Sequence, residues 1–112
     1  MAEPRVRVFG EINVLEAFPG VTRRTLASGD NLTLMRIEIE RGHTVPEHVH
    51  PHEQAGTVIV GRVSVRIGDT TTVCDEGDAY LIPGGVPHEV TAIEPTTLVE
   101  CFSPVREDFA HD

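Results

Sequence analysis

Lysine is absent from the chain: all nine basic residues are arginine. This excludes a lysine Schiff base or lysine general base, and it excludes a Walker-type phosphate loop, which needs its lysine. Positive charge is scarce as a whole. Eighteen acidic residues against nine basic ones give a formal net charge of −9. Nucleic acid and anionic membrane surfaces both require a basic face, so neither is expected as a partner. Cysteine is limited to Cys74 and Cys101. Their spacing matches no zinc or redox motif, and two free buried thiols are expected. No apolar run approaches the length that crosses a bilayer. Met1-Ala2-Glu3-Pro4-Arg5 holds no apolar stretch of the kind found in a signal peptide. The expectation is a soluble cytoplasmic protein.

What is present is β-strand pattern. The 112 residues are 39% hydrophobic, enough for one folded domain with a modest core. Val6 to Phe9 is an apolar run, and Val21 to Ser28 is a second, ending in the turn signal Gly29-Asp30-Asn31. Met35, Ile37 and Ile39 alternate with Arg36, Glu38 and Glu40, the period-2 mark of a half-buried strand. Val45 to His50 reads as extended, and Thr57 to Val60 as a β-branched strand ended by Gly61. Arg62 to Ile67 turns through Gly68-Asp69 into Thr70 to Cys74. Ala79 to Ile82, His88 to Ile93 and Thr97 to Phe102 complete the set. No helix of ordinary length is expected, and the turn spacing suits a sandwich or barrel.

Against this background the histidines stand out. Four of the six lie at 43, 48, 50 and 52. On an extended strand, side chains two apart share a face, so His48 and His50 can reach one point. Two imidazoles buried side by side are costly unless something holds them, and a divalent ion does so through their neutral nitrogens. Gln54 begins the next apolar strand, and His88 lies on a strand that a barrel can bring alongside. His43, His52 and His111 read instead as solvated or locally hydrogen-bonded side chains.

The spacing of glycine and proline around these residues carries a resemblance. Gly42 is followed, after five residues, by His48; then come His50, Gln54 three residues beyond, and Gly61 after six more. Later, Gly77 is followed after five residues by Pro83, then Gly85 and, after two, His88. The pair resembles the two motifs of the cupin superfamily. Gln54 stands where a glutamate is usual, and Ala92 where an asparagine is usual. The resemblance implies an all-β double-stranded β-helix, a jelly-roll or RmlC-like cupin barrel. It implies a strand arm over about 1–28 and a barrel core over about 29–109. It also implies a homodimer, and exposed edge strands supply a physical motive for one.

Three histidines and a glutamine form a neutral ligand set. A bound divalent transition metal (zinc, nickel, iron, copper or manganese) would keep its full charge. Open positions on it would attract a small anionic oxygen ligand. In the last strand Glu100 and Phe102 share one face and Cys101 takes the other. If that face looks inward, a carboxylate and a ring enter the cavity. Arg106, after Pro104, could fold back over the mouth and grip a carboxylate. The alternatives are an exposed Glu100, and a surface ion pair of Arg106 with Glu107 or Asp108.

The stretch His48 to Gln54, with Phe102-Ser103-Pro104-Val105-Arg106-Glu107-Asp108-Phe109, further resembles the KdgF-type small cupins of pectin and alginate breakdown, which linearise unsaturated monouronates. In that family the metal positions fall on His48, His50, Gln54 and His88. An aspartate, a phenylalanine and an arginine fall on Glu100, Phe102 and Arg106. The resemblance implies an enzyme that opens and tautomerises a 4,5-unsaturated uronate. Glu100 would move the proton, Arg106 would hold the carboxylate, and Phe102 would shape the wall. Two other readings remain: a metal-dependent cupin dioxygenase, and a non-catalytic binding or sensing module.

Overall fold

A computed structural model describes residues 1–112. Ten strands form two antiparallel sheets. They are β1 (Leu15–Phe18), β2 (Val21–Ser28), β3 (Thr33–Ile39), β4 (Thr44–His48), β5 (Glu53–Val60), β6 (Arg62–Ile67), β7 (Thr70–Asp75), β8 (Ala79–Ile82), β9 (His88–Ala92) and β10 (Thr96–Ser103). The larger sheet runs β1-β2-β3-β10-β5-β8, and the smaller runs β4-β9-β6-β7. The all-β architecture expected from the strand pattern, and the jelly roll implied by the cupin resemblance, are therefore present. No helix is long and apolar enough to cross a membrane.

Alternation explains which faces meet. In β6, Val63 and Val65 are buried between less buried neighbours. In β3, Met35 and Ile39 are buried while Arg36 and Glu38 are not. Inward residues of both sheets, including Val21, Val58, Ile82, Val90 and Leu98, form one cluster between them. Ala92, at the position where the motif usually has asparagine, belongs to that cluster and is 1% exposed. It packs apolar surface where a polar side chain would need partners.

Two stretches depart from the sequence expectation. Val6 to Phe9 makes no strand: Val6 and Val8 are exposed, and Phe9–Glu11 is a single 3-10 turn. Arg5 and Arg7 instead donate to the Ser28 and Thr25 carbonyls, so this segment is held by side chains and not by a strand ladder. Leu15–Phe18, unmarked by any strong apolar alternation, forms edge strand β1 against β2.

Candidate metal centre

β4 ends at His48, and Val49 points to solvent, 58% exposed, before His50 turns inward at 9%. Period-2 alternation thus persists past the strand end and gives both histidines one face. His88 opens β9 and pairs with His48 in register. The turn ahead of it, Pro83-Gly84-Gly85, presses against the His50 loop. A Cβ on Gly84 would lie 2.2 Å from the Pro51 carbonyl oxygen, and the Gly85 amide donates to the His50 carbonyl at 2.9 Å. Only glycine allows that approach. The approach brings both histidine segments to one place.

The result is a group of three imidazoles, from His48, His50 and His88, whose ligand nitrogens lie within 4.8 Å of one another. Each uses Nδ1 on a backbone carbonyl two residues away. His48 reaches Pro46 at 2.9 Å, His50 reaches His52 at 3.1 Å, and His88 reaches Val86 at 2.8 Å. For His48 and His88, donation from Nδ1–H fixes the tautomer and leaves Nε2 as a lone pair. Gln54, at the start of β5, is 4% exposed. Its Nε2 donates to Glu100 at 2.6 Å, which turns its Oε1 toward His50 Nε2, 3.0 Å away.

This arrangement suits one cation. With a single proton, the His50 ring cannot serve both the His52 carbonyl and the Gln54 amide oxygen, since each is an acceptor. His88 Nε2 is buried with no partner at all. Extra protons are a poor remedy. Burial, and then repulsion from Arg106 and His48, lower the affinity of His50 for a proton. Burial likewise lowers that of His88. Converging neutral nitrogens and an amide oxygen fit a divalent ion of the zinc, iron or nickel kind. His52 stays outside this group. Its ring lies beside His50, and its Nδ1 is buried without a partner. His43 hydrogen-bonds the Pro19 carbonyl, and His111 is exposed.

The centre opens on a cavity of about 300 Å³, lined by His48, Gln54 and His88 on one side and by apolar residues such as Val90, Leu98 and Phe102 on others. Mostly apolar walls with a few converging polar groups are what a small-ligand site requires. Glu100 and Phe102 both face inward, at 6% and 4% exposure, while Cys101 is half-buried on the other face. An exposed role for Glu100 is thereby overturned. Burial pushes its carboxyl above the ordinary value, against the hydrogen bonds from Tyr80 and Gln54 and the charges of His48 and Arg106.

Arg106 combines two expectations. It makes the local ion pair, through Nε and Nη2 to Asp108 at 3.1 and 2.8 Å. It also roofs the cavity, its guanidinium 4.9 Å from the Phe102 ring and 4.3 Å from that of Phe109. Arg23 also lies over the Phe109 ring, at 4.4 Å, and is itself paired with Asp112.

Sequence reasoning passed over Arg23, Phe109 and, above all, Tyr80. Tyr80 is 9% exposed and donates to Glu100 Oε2 at 2.5 Å. The available signal was alternation in β8, which places Tyr80 and Ile82 on one face.

A jelly roll with this donor set matches a recognised class. The cupin domain family matches residues 35–102, and the chain belongs to that family. Among characterised relatives it is similar to the pectin degradation protein KdgF of Dickeya dadantii (strain 3937). The two are 29% identical over 92 residues, which is 80% of this chain and 84% of that protein. The structure of KdgF from Halomonas sp. superposes with a TM-score of 0.89 at 27% identity, covering 95% of this chain and 98% of the other. An RmlC-like cupin from Shewanella frigidimarina NCIMB 400 superposes with a TM-score of 0.90 at 25% identity, covering 96% of both chains.

Proposed function

We propose that this cupin is a metal-dependent enzyme that opens and tautomerises a 4,5-unsaturated uronate. One observation carries the reading. A buried carboxylate, Glu100, and a roofing guanidinium, Arg106, share a single cavity with His48, Gln54 and His88, and His50 completes the donor group behind them. The likeness to the pectin degradation protein KdgF supports the substrate class.

His48, His50, Gln54 and His88 would hold the ion. When bound, it supplies a Lewis-acidic charge that stabilises negative charge developing on a substrate oxygen. Arg106 binds the substrate carboxylate, exchanging its bidentate contact with Asp108 for one with the ligand. Phe102 packs the ring face and keeps water out. Glu100 takes the proton of the anomeric hydroxyl as the bond between C1 and the ring oxygen breaks. C1 becomes an aldehyde carbonyl and the ring oxygen an enolate oxygen. Protonation at C4 then yields the 5-keto acid, an isomer of the substrate, so no co-reactant is consumed. The raised proton affinity of Glu100 suits a group that accepts a proton and gives it back.

The test is direct. Purified zinc- or nickel-loaded protein is mixed with the unsaturated uronate, and loss of the conjugated acid's ultraviolet absorbance is followed. The expected result is a rate far above the spontaneous one. Decay at the uncatalysed rate with every candidate metal removes the proposal. The nitrogen-rich donor set also suits iron(II), which sustains the dioxygenase as a second reading. Oxygen uptake by iron-loaded protein on a phenolic or sugar-acid panel would favour it.

A further inference from the structure

Glu100 sits in a three-strand arrangement that sequence alone does not display. β10, β5 and β8 are neighbours, and across them Glu100 pairs with Gly56, which pairs with Tyr80. Gly56 has no side chain, and the Tyr80 ring occupies the space. A Cβ there would meet ring atoms of Tyr80 at 2.4 to 2.6 Å. The phenol thus lies across the middle strand, and its hydroxyl reaches Glu100 Oε2 at 2.5 Å. Gln54 donates to the same oxygen at 2.6 Å. Oε1 receives no protein donor, although Glu100 lines the cavity.

Two donors on one carboxylate oxygen fix the group's rotation. They also divide its labour: Oε2 is engaged by the protein, and Oε1 is left for the ligand. The same contact fixes the Gln54 amide, whose nitrogen is held by Glu100 and whose oxygen is therefore turned to the imidazoles. We propose that Tyr80, seated over Gly56, is a positioning residue for the reaction. It holds Glu100 so that Oε1 alone meets the substrate, and through Glu100 it holds Gln54 toward the metal. The part concerning turnover rests on the uronate reading above; the part concerning Gln54 does not.

Tyr80→Phe keeps the ring over Gly56 and removes one hydroxyl, so the thermal midpoint should stay near that of wild type. The expected result is a fall in kcat on the unsaturated uronate of about tenfold or more, with KM and metal content unchanged. In a Glu100→Gln background the same change should cost nothing further, because both act through one carboxylate. Gly56→Ala is a second variant, since its methyl displaces the ring while the hydroxyl is retained. It should produce the same loss of kcat.

A readout independent of turnover is the visible spectrum of cobalt(II)-loaded protein. Tyr80→Phe should shift its bands, because the anchor of the Gln54 amide is loosened. A kcat within twofold of wild type, or a loss that falls equally on KM and metal content, overturns the proposal. If wild type itself fails to turn over the uronate, the substrate reading falls, and the cobalt spectrum alone decides on Tyr80. An unchanged spectrum then refutes it.

Discussion

His88→Leu is expected to strengthen the metal-free protein and weaken the metal-loaded one. His88 is 1% exposed, and its Nε2 has no partner. An unsatisfied buried polar atom costs about 1–3 kcal/mol, and leucine of similar size removes that cost. The substitution also removes the Nδ1 hydrogen bond to the Val86 carbonyl, worth about 0.5–1.5 kcal/mol. Val86 is only half-buried, so its carbonyl can recover a water partner. The balance is a gain of about 1 kcal/mol for the apo protein. With zinc at a hundredfold excess over its dissociation constant, wild type gains about 2.7 kcal/mol. The variant, short of one ligand, gains little. The two stability curves therefore change order when metal is added. Urea denaturation followed by circular dichroism, in chelator and in zinc, measures both differences. Loss of apo stability in the variant would show that the bare nitrogen carries no penalty. A full zinc increment in the variant would show that His88 is not a ligand.

Arg106→Ala should leave metal content unchanged while weakening carboxylate ligands at least tenfold, since charge-assisted hydrogen bonds are worth about 1.5–3 kcal/mol. Calorimetric titration with a uronate measures this, and equal affinity in both proteins would remove Arg106 from ligand binding. The chelated protein should also lose stability as pH falls below about 6.5. Burial holds His50 and His88 below the ordinary histidine value of 6.5. The unfolded chain therefore takes up protons first, and stability declines with falling pH until the folded-state values are passed. Glu100, whose carboxyl is raised, acts in the opposite sense from its ordinary value of 4.5 upward. The His88 part is therefore read from the difference between wild type and His88→Leu, which should narrow toward pH 8 and favour the variant toward pH 5.

Much of the site was legible because its geometry is local. His48 and His50 share a face by strand period alone, and Glu100 with Phe102 likewise. Whether that second face looked inward was a question of sheet packing, and only the packing of the larger sheet against the smaller, which buries Leu98, Glu100 and Phe102, answered it. β1 escaped notice because Leu15 and Ala17 are half-buried at a sheet edge, so its alternation is weak. Tyr80 escaped for a stronger reason. Its partner lies on a strand that is not its neighbour, and the contact exists because the residue between them, Gly56, has no side chain. Strand periodicity shows which way a side chain points; it does not show that an intervening strand leaves a gap.

The distribution of the candidate ligands over the two sheets bears on what the cluster does. His48 and His88 come from β4 and β9 of the smaller sheet, whereas Gln54 and Glu100 come from β5 and β10 of the larger one. The apolar core already joins the sheets through Val58, Val63, Ile82 and Leu98, so packing does not require a polar focus here. Without a cation, that focus gives the single proton of His50 two acceptors to serve and leaves His88 Nε2 bare. Apolar residues would make a more stable barrel, which is the premise tested by His88→Leu. A polar cluster that weakens its own apo fold is explained by what it binds. Such a neutral donor set would leave the charge of a bound divalent ion uncompensated. The one carboxylate beside it, Glu100, engages Gln54 and Tyr80 through a single oxygen. That charge would face the same cavity as the free oxygen and Arg106, and an anionic ligand with a transferable proton fits all three.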